Sequence, residues 1–378
     1  MMNFRTKNRK RIIWVDNSKA IGMFFVYFGH ITQEMSNKGI LHTLDITKLI
    51  YSFHMPLFFI LSGFFFSRRS PSLMTDIRLL VLKRVIPVFY FGAITFPFWP
   101  LLLYLANGFI DWELIGQKAS NYLVGHPDLN TISWFLICLF VAEIFALVIL
   151  PSVDNVYIGL IISGIFLRLG LVMTTNFQDT VNSLNIEKNI WFLHEAVVAF
   201  GFYGIGFSLF RFFHKVSKLK LSLRILLLMI FVTITLFTFD LNSPFDDFVV
   251  IMKDSTHGNN WLFLLTAITG SLSVILFSMF IPSNSTMNFI GRNSLTFIAT
   301  SGLFHHFINP VFVKLLIPII PGFWMIILSL LYSLVSLIIS VPIVRILKKF
   351  TPQLVGFPQV AGRWFPALIR NSQSNNES

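Results

Sequence analysis

The sequence predicts an all-α protein: a polytopic transmembrane helix bundle of about ten spans, with both termini cytoplasmic. Three observations carry this. Of 378 residues, 55% are hydrophobic and only 12% are charged, whereas soluble domains carry roughly 25% charged residues. Phe occurs 44 times, more than one aqueous core could hide. Lys and Arg gather on alternate loops, which is the bias that orients helices in a membrane. A membrane domain over 1–350 is expected, then a cytoplasmic, largely disordered tail over 351–378 that ends Asn-Ser-Gln-Ser-Asn-Asn-Glu-Ser.

The first span, near 12–31, follows a basic stretch from Arg5 to Arg11. It lacks a small-residue cleavage site, so a retained helix is expected rather than a signal peptide. The second and third, near 50–67 and 84–105, flank a loop with Arg68, Arg69, Arg78 and Lys83. The fourth, 131–150, contains the single cysteine, Cys138, inside an apolar run. One cysteine excludes an intrachain disulfide and a Cys-based metal site, and reads as a small buried hydrophobe. The fifth, 156–174, carries Arg168, which is expected to pair with Glu143 of the fourth. The sixth, 190–212, has Gly201, Gly204 and Gly206 for close helix approach. The last four lie near 223–240, 261–281, 294–309 and 322–346. Trp191, Trp261 and Trp324 sit at span ends, where an aromatic belt accounts for them.

An even number of spans puts both termini on one side. With the N-terminus inside, 21 of the 29 Lys and Arg residues lie on inner segments and six on outer loops. The net charge of +12 is therefore an orientation signal and an attraction to anionic membrane lipid; no nucleic-acid partner is expected. The chain shows no phosphate-cradling Gly-rich loop and no metal-ligand cluster, so no metal is expected.

The first span breaks its own rule by carrying Asp16, Lys19 and His30. Ionisable groups in a span cost roughly 2.5–3.5 kcal/mol each on insertion scales and usually face the bundle interior. Lys19 and His30 are eleven residues apart, so they differ by only about 20° around the helix and by roughly 16 Å along it. Asp16 lies on the same side, one turn from Lys19. One face thus offers an acid–base pair near the cytoplasmic end and an imidazole near the other. A neutral imidazole can take a proton from a hydroxyl or attack a thioester. A cation at the inner end can hold an anionic cofactor, whose phosphates Arg68, Arg69, Lys83 and Arg84 would also meet. A second reading of the same line is a transporter or flippase for an envelope glycan precursor.

These residues resemble a known family. Arg11-Ile-Ile-Trp-Val-Asp-Asn-Ser-Lys-Ala-Ile-Gly, continuing to Phe28-Gly-His30, is similar to the opening signature of the acyltransferase 3 membrane family, in which a basic residue precedes a histidine by eleven positions. Phe53-His-Met-Pro-Leu-Phe-Phe-Ile-Leu-Ser-Gly-Phe64 resembles its second-helix motif, Lys83-Arg-Val-Ile-Pro87 the basic start of its third helix, Trp134-Phe-Leu136 the opening of a middle helix, and Ile290-Gly-Arg-Asn-Ser-Leu295 the start of a late one. The chain departs from the pattern twice. The late-helix histidine position is Ser301, with His305 and His306 one turn further on, and a usual arginine is Val81.

The resemblance implies a membrane O-acyltransferase moving an acyl group, usually acetyl from cytoplasmic acetyl-CoA, to a hydroxyl of a surface polysaccharide or lipid-linked sugar. It implies His30 as catalytic histidine, Lys19 as its basic partner held by Asp16, and a location in the cell membrane, a bacterial plasma membrane. His54 and Ser62, inside the second-helix motif, are expected on the substrate side.

Overall fold

The computed structural model describes residues 11–67, 72–175, 190–243, 245–316 and 322–369. Among them every regular element is helical, and the one β-bridge joins Ile251 to Thr256. The long helices in chain order are α1 (Ile13–Asn37), α2 (Leu44–Gly63), α3 (Leu73–Leu80), α4 (Ile86–Thr95), α5 (Phe98–Asn107), α6 (Trp112–Ser120), α7 (Trp134–Ile149), α8 (Val156–Thr175), α9 (Leu193–Val216), α10 (Leu221–Thr238), α11 (Asn260–Ser278), α12 (Ser285–Arg292), α13 (Ser294–Leu303), α14 (Asn309–Leu316) and α15 (Gly322–Phe350).

Each of the ten apolar segments falls on helix. Seven helices are long and apolar enough to cross a membrane, or eight if α3–α4 and α5, bent by 45° at their junction, form one span. Two segments fall short in composition: α1, and the continuous run α13–α14. Their place in the bundle explains why. α1 packs against α2, α11, α12, α13, α14 and α15, and fourteen of its residues are buried. A helix enclosed by protein need not be apolar, because lipid does not touch most of its surface. At the periphery the reverse holds. α10 packs mainly on α11, is 11% buried and is apolar almost throughout.

Close packing of α2 on α9 fixes the frame around α1. A Cβ on Gly63 would lie 1.9 Å from the Tyr203 carbonyl, and one on Gly206 would lie 2.0 Å from the Ile60 carbonyl. These two backbones touch directly, as small residues permit in membrane bundles.

Two stretches depart from α-geometry. Val81–Val85, between α3 and α4, and Phe304–Ile308, between α13 and α14, are π-helical. Pro87 and Pro310 each lie two residues beyond such a stretch. Proline lacks the N–H and crowds the carbonyl four residues back, here Lys83 and His306; a wider π turn relieves that conflict.

The tail expectation needs correction over its first part. Beyond Phe350 the chain turns back onto α4, α15 and the first π segment, with Gln353 and Val355 buried. Tyr90 shares a 2.8 Å hydrogen bond with Thr351, and Thr296 donates to the Val355 carbonyl at 3.2 Å. Leu354, Val355 and Phe357 supply the apolar surface for this return; the polar run starts only near residue 371, outside the described residues.

Candidate active site

Two cavities lie at opposite ends of α1. The first, of about 190 Å³, is lined by Lys19, Ser62, Asp76, Lys83, Arg84 and Glu143, among others. α1 supplies Lys19, the end of α2 supplies Ser62, and the first π segment supplies both Lys83 and Arg84. Arg68 and Arg69, expected beside them, lie outside the described residues.

Two expectations fail at this end. Glu143 pairs with Arg84, not Arg168. Arg84 Nε donates to Oε2 at 2.8 Å and Nη2 to Oε1 at 2.7 Å, a bidentate geometry that suits guanidinium and carboxylate. Arg168 instead lies over the Trp261 ring, 5.8 Å from its centroid. α7 and α8 adjoin in sequence, but α7 turns Glu143 towards the π segment. Nor does Asp16 hold Lys19: its carboxylate accepts from Arg11 Nε, which also donates through Nη2 to the Asn288 carbonyl at 3.2 Å. Lys19 Nζ stands over the Phe65 ring at 4.9 Å. Asp16 therefore fastens the start of α1 to its flanking chain, while Lys19 faces the cavity.

Ser62 Oγ donates to the Phe58 carbonyl at 2.7 Å and belongs to this cationic cavity, not beside His54. The second-helix motif thus spans both cavities rather than lining one.

The second cavity, of about 280 Å³, is lined by His30, Gln33, Glu34, Tyr51, His54, Lys253, Asp254 and His305, among others. α1 and α2 meet here because Gly29 admits Ile50 and Tyr51 closely. The Tyr51 hydroxyl donates to Gln33 Oε1 at 2.5 Å and lies 2.9 Å from His30 Nδ1. A phenol has one proton, and Gln33 takes it. The phenolic oxygen must then accept from His30, so His30 carries its proton on Nδ1 and a lone pair on Nε2. This is the tautomer a base or nucleophile needs.

His54 Nδ1 donates to the Ile50 carbonyl at 2.9 Å, four residues back in its own helix, and its ring rests 4.9 Å from Tyr51. It supports the Tyr51 ring and reaches the cavity wall. The group the sequence left without a role is His305. The second π segment brings its ring to 4.7 Å from that of His30, centroid to centroid. Its neighbour His306 is held elsewhere, with Nε2 accepting from the Thr131 amide at 3.0 Å.

One rim of this cavity comes from residues 250–254, a loop tethered inside the bundle. His257 Nε2 meets Glu195 Oε1 at 3.1 Å, and both side chains are buried. Asn242 donates to the His257 carbonyl at 2.8 Å. Among the described residues no group of three or more His, Cys, Asp and Glu side chains could hold a metal ion. Cys138 is fully buried.

The arrangement offers a cationic recess at one end, an imidazole with a free lone pair at the other, and a helix joining them. Compared with known protein families, the chain matches the acyltransferase domain over residues 12–345. No curated protein and no solved structure gives a match.

Proposed function

The chain belongs to the acyltransferase 3 family, and from that premise we propose that it is a membrane O-acyltransferase, moving an acetyl group from cytoplasmic acetyl-CoA to a hydroxyl of a surface polysaccharide or lipid-linked sugar. The observation that carries this reading is the His30–Tyr51–Gln33 chain, which fixes the reactive tautomer on a cavity wall. His30 Nε2 either takes the proton of the acceptor hydroxyl or attacks the thioester. Lys19, Lys83 and the free edge of Arg84 receive the phosphates of the coenzyme, a role in which cations favour the anion by charge-assisted hydrogen bonds.

The separation of the cavities supports a division between donor and acceptor. Lys19 and His30 are roughly 16 Å apart along α1, so a donor anchored by its phosphates near Lys19 must reach along the helix to place its thioester at His30. Polar groups around His30, among them Gln33, Glu34, Lys253 and Asp254, suit a hydroxyl-rich acceptor. The site lies in the cell membrane, with the Lys19 end towards the cytoplasm.

The test uses purified protein in lipid, radiolabelled acetyl-CoA and envelope glycan from the cells that make the protein. Wild type transfers label, and a folded His30→Ala variant does not. Transfer at the wild-type rate by that variant would overturn the assignment. Proton- or sodium-driven glycan movement without acetyl-CoA binding would favour a transporter.

A further inference from the structure

Three imidazoles, His30, His54 and His305, line one cavity, and the proposed reaction has used one. His305, partly buried like His30, lines the same cavity, and its Nδ1 is buried with no hydrogen-bond partner among the described residues. A buried polar atom without a partner costs roughly 1–3 kcal/mol. Of its two neighbours of similar chemistry, His306 accepts at Nε2 from the Thr131 amide, and His54 donates Nδ1–H to the Ile50 carbonyl and packs its ring on Tyr51; the ring that meets His30 is that of His305. The backbone that presents His305 is also unusual, being one of two π segments among the described residues, a geometry common at functional sites. An α-helical continuation from α13 would turn the two histidines to a different face.

Resting on the acyltransferase reading, we propose that His305 is a second catalytic residue, the base that deprotonates the acceptor hydroxyl, while His30 carries the acyl group. In the first half-reaction His30 Nε2 attacks the thioester carbonyl carbon. The N–C bond forms, the C–S bond breaks, and its electron pair leaves on the coenzyme sulfur. His30 is then an acyl-imidazolium, its Nδ1–H still held by Tyr51. In the second, the acceptor oxygen attacks the acyl carbon and its proton passes to His305 Nδ1. The C–N bond breaks and its electron pair returns to His30 Nε2. The proton on His305 balances the thiolate released earlier, so thioester and alcohol become ester and thiol. One imidazole cannot serve both roles in the second step, because Nε2 of His30 is occupied by the acyl group and Nδ1 is already protonated. A neighbouring ring 4.7 Å away supplies the missing base.

The two half-reactions separate this role from a structural one. Purified wild type, His305→Gln and His305→Ala are given acetyl-CoA, and release of thiol is followed before acceptor is added. Hydroxylamine or envelope glycan then discharges the enzyme. Hydroxylamine is a strong nucleophile that needs no base, whereas a sugar hydroxyl does. Both variants are expected to release about one equivalent of thiol and to acylate hydroxylamine within about threefold of wild type, while transfer to glycan falls about 100-fold or more, the lower range for a lost general base. Glycan transfer within threefold of wild type would overturn the proposal. So would loss of the thiol burst in both folded variants, which assigns His305 to the first step or to packing, or a wild type with glycan transfer but no burst, which makes transfer direct. A wild type that neither binds acetyl-CoA nor releases thiol from it defeats the acyltransferase reading itself.

Discussion

At the scale of single residues the site depends on proton placement. Tyr51 is the pivot, because its one proton goes to Gln33 and its oxygen is left for His30. Tyr51→Phe keeps the ring packed on His54 but removes the acceptor that holds Nδ1–H. The expected result is a fall in kcat on the order of 10²-fold, with KM for acetyl-CoA unchanged, since the proposed function seats the donor phosphates at the other cavity. Stability should fall by about 1 kcal/mol, the ordinary worth of a hydrogen bond, measured by thermal unfolding in detergent. Equal kcat in Tyr51→Phe and wild type would mean the tautomer is set some other way. The sequence pointed to His30 and Lys19, because a charged group in a span is visible against apolar neighbours. Tyr51 and Gln33 were not legible: both are common near the ends of spans, and only the crossing of α1 with α2 brings them to the imidazole.

At the scale of elements, the ion pair between the first π segment and α7 is the clearest case for measurement. Arg84 and Glu143 are joined by two hydrogen bonds within the bundle, and removing one partner leaves the other charge uncompensated. Glu143→Ala is therefore expected to destabilise by about 3–5 kcal/mol, while a paired Arg84→Met, Glu143→Leu replacement recovers most of that loss. Recovery of stability should not bring back acetyl-CoA binding if Arg84 also meets the donor; isothermal titration on the double variant decides this. Helix contact gives a second comparison. Gly206→Ala places a Cβ against the Ile60 carbonyl, whereas a Cβ on Gly164 meets nothing within 4 Å. The first substitution should prevent normal folding and the second should be neutral or stabilising by up to about 1 kcal/mol through helix propensity, as read from expression and melting temperature. The ten long helical stretches were legible from apolar run length, whereas α3, α6, α12 and most of α14 lie outside those runs. Which charges pair was not: Arg84 and Glu143 are 59 residues apart in sequence, and sequence adjacency of spans suggested Arg168. Nor were the π segments foreseen, although Pro87 and Pro310 carried the local signal.

At the scale of the whole molecule, the crossings of α1 and α13–α14 decide the topology, since composition alone passes seven or eight helices. Length favours crossing: at 1.5 Å per residue, the 25 residues of α1 extend for about 37 Å, beyond the roughly 30 Å of hydrocarbon. Enclosure explains its polarity, because six neighbouring helices, α2 and α11 to α15, shield it from lipid. If both cross and the bent α3–α5 pair is one span, ten spans result, and the loops rich in Lys and Arg all fall on one side. If either stays within one leaflet, the parity changes and the two ends of the chain separate. Chemical labelling reads this directly, and the single native cysteine, fully buried, makes a Cys138→Ala background simple. Lys38, Lys218, Asp246 and Arg363 are all exposed, so each can be replaced by cysteine in turn. A membrane-impermeant maleimide added to whole cells should label Lys38→Cys and Asp246→Cys and leave Lys218→Cys and Arg363→Cys unmodified until the cells are opened. Labelling of Arg363→Cys from outside, with Lys218→Cys still protected, would place an odd number of crossings after α9 and remove α13–α14 from the set of spans. Arg11, also exposed, tests the first crossing: labelling of both Arg11→Cys and Lys38→Cys from outside would instead remove α1. His30 would then have no helix to carry it across from the Lys19 end, and donor and acceptor would have to approach from the same side.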